Sequence, residues 1–168
     1  MGPEELLILR AYEPSDRAWV AEKHEDFYRT HHDFDHTFVD AVNDALDNLE
    51  THASDLCSYL VAECENEPIG CIFMGVDGPG RGRIRLFFVD KERQGHGTGT
   101  RLLRAVVEAA RQSDFQVVRV STFDQHAEAC HLYETAGFEQ LKTTTTKAFG
   151  RYMTQLDYEL SLREGGRV

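Results

Sequence analysis

Cysteine is scarce in this chain, and badly spaced for any cross-linking role. Four cysteines stand at 57, 64, 71 and 130, with no C-x-x-C pair among them. That excludes a disulfide framework and a standard structural zinc site, and reads as reduced core thiols. A catalytic thiol is excluded as well. Only Cys130 lies beside a histidine, His131, and neighbouring side chains diverge on a helix. Long apolar runs are missing: nothing approaches the roughly 20 residues of a membrane span, and the first residues lack the basic and apolar regions of a signal peptide. The expectation is a cytoplasmic protein with no membrane partner. Positive charge is short too, with 18 Lys and Arg against 29 Asp and Glu and a net charge of −11. Such a balance disfavours nucleic acid as a partner and favours cationic molecules. No repeat, linker or low-complexity tract divides the sequence. The expectation is a single domain over residues 1–168, long enough to bury a core without staples.

What is present concentrates in one stretch. Arg83-Ile-Arg-Leu-Phe-Phe-Val89 reads as an apolar strand. Leu102, Leu103, Val106, Val107 and Ala110 make one stripe of a helix. Between them lie Gly95, Gly97 and Gly99, which free the backbone and leave the amides bare. Bare N–H groups at a helix start, reinforced by the helix dipole, hold anions. The stretch is therefore built for a phosphate or pyrophosphate. It is neither of two common phosphate loops. The glycines run G-x-G-x-G, not the dinucleotide G-x-G-x-x-G, and no Lys follows Gly99 as a P-loop requires.

Read in order, the chain predicts a strand at 6–10 and a helix from Pro14-Ser15-Asp16 to about Tyr28. A loop at 30–36, a helix at 38–53 and a hairpin of 58–64 with 69–76 follow. A mobile turn at 77–82 leads into the central strand, turn and helix. A strand at 116–122 comes next, then a helix at 125–136 capped by Gly137, and strands at 138–146 and 152–160. The order β-α-α-β-β-β-α-β-α-β-β predicts an α/β fold: a mixed, mostly antiparallel sheet of about seven strands flanked by about four helices.

Gln94-x-x-Gly97-x-Gly99, preceded by Arg93, resembles the pyrophosphate loop of the GNAT superfamily of acyl-CoA-dependent N-acetyltransferases. Ala129-Cys-His-Leu-Tyr133-Glu-Thr-Ala-Gly137-Phe138 resembles a second segment of that family, and the element order is also the family's. The likeness covers roughly residues 56–160. A closer look-alike is the acetyltransferase half of MarR–GNAT fusion proteins. That narrower resemblance rests on His24-x-x-x-Tyr28, Phe34-Asp35 with Phe38, Arg85-Leu-Phe-Phe-Val89, and the tail Ala148-Phe-Gly150 with Leu156-Asp-Tyr-Glu-Leu160.

The resemblance implies an enzyme that moves an acetyl group from acetyl-CoA to a primary amine of a small or amino-acid-like acceptor. An alternative is a weakly catalytic acyl-CoA-binding regulator, or an enzyme acting on protein amines. It implies pyrophosphate binding by Arg93, Gln94, Gly95, His96, Gly97, Thr98, Gly99 and Thr100. It also implies pairing of the pantetheine arm with Phe88 and Val89, the Val89 amide serving as oxyanion donor. Tyr133 stands where the family has its general acid. The family's pantetheine-binding Asn is replaced here by His126, with Asp124 nearby. Its central-strand Glu base is missing, which leaves His24, Glu63 or water for that role. His24, Tyr28, Phe34 and Phe38 are the expected acceptor pocket, with Glu25, Asp26, Asp33 and Asp35 drawing cationic amines toward it. The run from His31 to His36 matches no standard metal spacing, so no metal is expected. The expected partners are the acceptor and a second copy of the chain.

Overall fold

The computed structural model describes residues 6–162. Seven strands, β1 (Leu7–Ala11), β2 (Ser58–Cys64), β3 (Glu67–Val76), β4 (Arg81–Val89), β5 (Val117–Phe123), β6 (Glu139–Ala148) and β7 (Arg151–Ser161), form one sheet. Their spatial order is β1-β2-β3-β4-β5-β7-β6. Every neighbouring pair is antiparallel except β4 with β5, as one helical crossover among hairpins requires. Four helices complete it: α1 (Arg17–His32), α2 (Thr37–Thr51), α3 (Thr98–Gln112) and α4 (Ala127–Thr135). The mixed α/β architecture is the one the sequence predicts. Among the described residues no helix is long and apolar enough to cross a membrane.

The helices divide between the faces. On one, α3 buries Leu102, Leu103, Val106 and Ala110 against Ile72, Met74 and Ile84, and α4 adds Cys130 and Tyr133. On the other, Val20 and Phe27 of α1 and Val42, Leu46 and Leu49 of α2 pack on Val61, Cys71, Phe73 and Phe88. Leu46 and Leu102 are fully buried. Truncating either to Ala would remove about 2–5 kcal/mol from a domain whose whole stability is on the order of 5–15. Beyond β4 this second face carries cross-strand polar pairs instead, Arg119 with Glu159 at 2.7 Å and Ser121 with Asp157.

Two boundaries differ from expectation. The helix predicted to end near Tyr28 runs on to His32, because the rings of His31 and His32 pack back on Phe27 at 4.9 and 5.5 Å. Asp33, with φ of 59°, then ends it in the left-handed conformation, leaving 33–36 as the loop. The turn predicted at 77–82 is shorter, since β4 begins at Arg81. Three cysteines are buried thiols, whereas Cys57 is only half-buried, in the turn before β2.

Candidate active site

β4 and β5 pair for four residues, Arg81 with Val117 through Ile84 with Val120, and then separate. The cause lies in β4. Its register against β3 slips between Cys71 and Phe73, so that Leu86 and Phe87 together oppose Ile72. Leu86 takes φ of 49°, a left-handed conformation that a bulky residue rarely adopts outside a functional strain site. The Cys71 thiol donates to the Leu86 carbonyl at 3.3 Å and pins the bulge. Buried Cys71 is therefore structural, and its burial pushes the thiol pKa up.

The gap so made is a cleft of about 160 Å³. Ile84, Arg85, Leu86 and Phe87 of β4 form one wall, and Val120 to Phe123 of β5 the other. His24 and Tyr28 of α1, Phe38 of α2, and His126, Ala129 and Tyr133 complete the lining. Tyr133 is buried, its ring against Phe87, Phe138 and Tyr158 at 6.1, 5.5 and 5.9 Å. Burial raises its pKa well above a phenol's, so the hydroxyl keeps its proton at any working pH. Asp90 N–H donates to Ile69 at 2.8 Å, which by strand alternation turns the Val89 amide away from β3 and toward the cleft. The Phe88 side chain points elsewhere, into the core against Trp19, Phe27 and His24.

At the end of β4 comes a 3-10 turn, Lys91–Arg93, and then the glycine loop. Gln94 is anchored to the protein at both ends: its amide donates to Lys91 and its side-chain Nε2 to the Val89 carbonyl at 3.1 Å. The Arg93 guanidinium lies 3.9 Å from Cys64 Sγ. Gly95 and Gly97 have φ of 85° and 83°, with nothing within 4 Å of where a side chain would start. Gly97 caps α3, leaving the amides of Thr98, Gly99 and Thr100 without intrahelical partners. His96 is exposed on this rim. Gly99 is needed for a different reason than the loop glycines, because a Cβ there would stand 3.3 Å from Leu132.

The residues expected around the acceptor divide. His24, Tyr28 and Phe38 line the cleft, whereas Phe34 is buried behind them, 5.2 Å from Tyr28 and 5.1 Å from Phe38. Tyr28 Oη and His126 Nδ1 are hydrogen-bonded at 3.2 Å. Asp124 is exposed and ties its amide to Thr154 of β7, outside the cleft wall. The acids expected at the entrance turn elsewhere: Glu25 and Asp26 pair with Arg29, and Asp35 binds Thr37. Glu63 is ion-paired to Arg10 at 2.9 Å. Among the described residues the cleft has no carboxylate in its wall.

His24 donates from Nδ1 to the Val20 carbonyl at 2.8 Å, so Nε2 carries the lone pair. Nε2 has no hydrogen-bond partner of good geometry, although the nearby Leu86 backbone slightly favours the proton. Burial outweighs this and pushes the pKa down to about 4. His126 is also held at about 4, by desolvation and then by His32 and Lys91. Both imidazoles are neutral at pH 7. The histidines of 31–36 do not converge, and no group of three or more metal-ligating side chains forms among the described residues.

Two cleft residues carried no recognisable mark in the sequence: Ser121 and Phe123. Behind the cleft lies Phe149, whose ring packs on Phe34 and Phe38 at 4.9 Å each. Its carbonyl accepts from the Asp35 amide at 2.9 Å, so the β6–β7 hairpin tip is fastened to the α1–α2 loop. The Phe-Gly pair between two predicted strands was a usable hairpin signal. Nothing local announced where the tip would dock.

A sheet opened by a bulge beside a bare-amide loop, with a buried tyrosine in the gap, defines an acyl-CoA-type transferase site. Residues 17–138 match the family model described as "Acetyltransferase (GNAT) family", and the chain belongs to that family. The chain is similar to N-acetyltransferase 8B of Homo sapiens, 29% identical over 138 residues, which are 71% of this chain and 61% of that protein. It thus spans under two thirds of that relative. Among solved structures, the fold resembles yncA, a putative acetyltransferase from Salmonella typhimurium solved with acetyl-CoA. That match has a TM-score of 0.77 and 20% identity, covering 94% of this chain and 95% of that one. It also resembles the ribosomal-protein-alanine N-acetyltransferase from Brucella melitensis, with a TM-score of 0.72 and 21% identity over 92% and 99%.

Proposed function

We propose that this chain is one N-acetyltransferase domain that moves the acetyl group of acetyl-CoA to the primary amine of a small or amino-acid-like acceptor. The observation that carries this reading is the gap where β4 leaves β5, lined by Tyr133 and followed along β4 by Val89 and the glycine loop. The pyrophosphate is held by the amides from Gly95 to Thr100 at the start of α3. The amine nitrogen attacks the thioester carbonyl, and the Val89 N–H stabilises the charge that develops on its oxygen. The carbon–sulfur bond then breaks, and the Tyr133 hydroxyl supplies a proton to the departing sulfur. The attacking nitrogen loses its proton to water, and the phenol is reprotonated from solvent. With both cleft histidines neutral far below pH 7, neither titrates near neutrality, so the acceptor must arrive as the free amine.

The bare wall favours a second reading. A cleft without a carboxylate base suits a weakly catalytic acyl-CoA-binding regulator. Steady-state release of CoA thiol across a panel of small amines and peptides separates the two. Acetylation of an amine supports the enzyme; tight CoA binding with no turnover on any amine rejects it.

A further inference from the structure

The face of the sheet beyond α1 and α2 carries four arginines, and three have acids. Arg81 and Arg83 share Asp77, at 3.5 and 2.8 Å, and Arg119 holds Glu159 at 2.7 Å. Arg85 follows them along β4, is exposed, and makes no hydrogen bond or ion pair with any described residue. It stands in the wall of the cleft and of the small adjoining hollow formed by Asn48, His52 and Tyr59. Asp77 feels Arg85 only through space and is already bound by Arg83. In a chain of net charge −11, the cleft's own formal charge is thus one guanidinium.

We infer that Arg85 binds a carboxylate of the acceptor, so that the substrates are amino-acid-type molecules carrying an acid near the amine that is acetylated. A guanidinium offers a planar fork that matches a carboxylate, and a half-enclosed site strengthens the pair. Tyr28, Phe38 and Phe123 give an apolar side chain a surface on the same cleft. The donor's pyrophosphate is not the anion in question. Its loop begins beyond Val89, four residues and about 13 Å along the strand from Arg85. The inference names the substrate class of the acetyl-transfer site and rests on that reading of the cleft.

The test compares phenylalanine, leucine and methionine with the amines that lack only their carboxylate, at saturating acetyl-CoA. Wild type should favour the acids by about tenfold or more in kcat/KM, chiefly through KM. Arg85→Gln should bring each pair to within about threefold, through a loss on the acids larger than any change on the amines, and Arg85→Lys should restore part of the preference. Because Arg85 has no partner in the fold, the variants should melt with wild type. Amines that equal the acids in wild type, a preference that survives Arg85→Gln, or turnover confined to acceptors without a carboxylate overturns the inference. A second measurement needs no turnover: calorimetric binding of N-acetylphenylalanine and N-acetylphenethylamine to the CoA-loaded protein. If no amine is acetylated, the transferase reading fails. Arg85-dependent binding of the acid then still upholds the carboxylate site, and equal binding of the two rejects it.

Discussion

The proposed donor and acceptor regions are made of different materials. The proposed donor region, from Val89 to Thr100, is backbone: amides released by two left-handed glycines and a helix start, with nothing above the glycines. The proposed acceptor region is side chain, drawn from α1, α2, β4, β5 and α4 with the β6–β7 tip packed behind it, and centred on tilted and edge-on rings and one unpaired arginine. Backbone recognition is set by a short contiguous motif and tolerates change around it. Side-chain recognition depends on which distant segments meet, so single substitutions there alter selectivity without touching the donor.

The sharpest way to break the contrast is at the residue both halves share. Tyr133→Phe should lower kcat on the order of 10²-fold or more with the affinity for acetyl-CoA unchanged. A kcat within a factor of two of wild type makes Tyr133 a packing residue. Next comes the buried imidazole. His24 has a folded pKa of about 4 against an ordinary 6.5 in the unfolded chain, which therefore binds the extra proton between those values. Its contribution is complete above pH 6.5 and is lost as pH falls toward 4, about 2 kcal/mol by pH 5. Urea unfolding of wild type and His24→Gln at pH 7 and pH 5 isolates this, since His126 contributes to both proteins, and His24→Gln should flatten the slope.

On the donor side, Gly97→Val demands a positive φ that Val resists and covers the amides. The dissociation constant for CoA should rise about tenfold, or 1.4 kcal/mol, by calorimetry. On the acceptor side, Phe149→Ala unfastens the hairpin tip from Phe34 and Phe38. It should raise the acceptor KM roughly threefold, within the ~1 kcal/mol typical of an aromatic pair, and leave CoA affinity as it was. If Phe149→Ala weakens CoA and Gly97→Val does not, the division between the halves is wrong.

The same division explains what the sequence could say. Strand and helix order followed from periodicity, and the glycine spacing marked the loop because φ above zero restricts residue choice to glycine within a few positions. Leu86 sends no such signal: its strained φ is imposed by the slip against β3 and the Cys71 thiol, which are tertiary facts. Phe34 read as a pocket residue from the family resemblance, yet it is buried against Tyr28, Phe38 and Phe149. The acids of 25–35 read as an entrance, but ion pairs and a capping bond turn them outward. Arg85 was visible only as a member of the central strand. Its lack of a partner needed the whole open face of the sheet.

The most direct test is a crystal structure with a non-hydrolysable acetyl-CoA analogue bound. The pyrophosphate oxygens should lie about 2.7–3.2 Å from amides between Gly95 and Thr100, with the acyl carbonyl at the Val89 N–H and the sulfur facing the Tyr133 hydroxyl. A pyrophosphate held elsewhere, or an acyl group outside the gap between β4 and β5, would contradict the account.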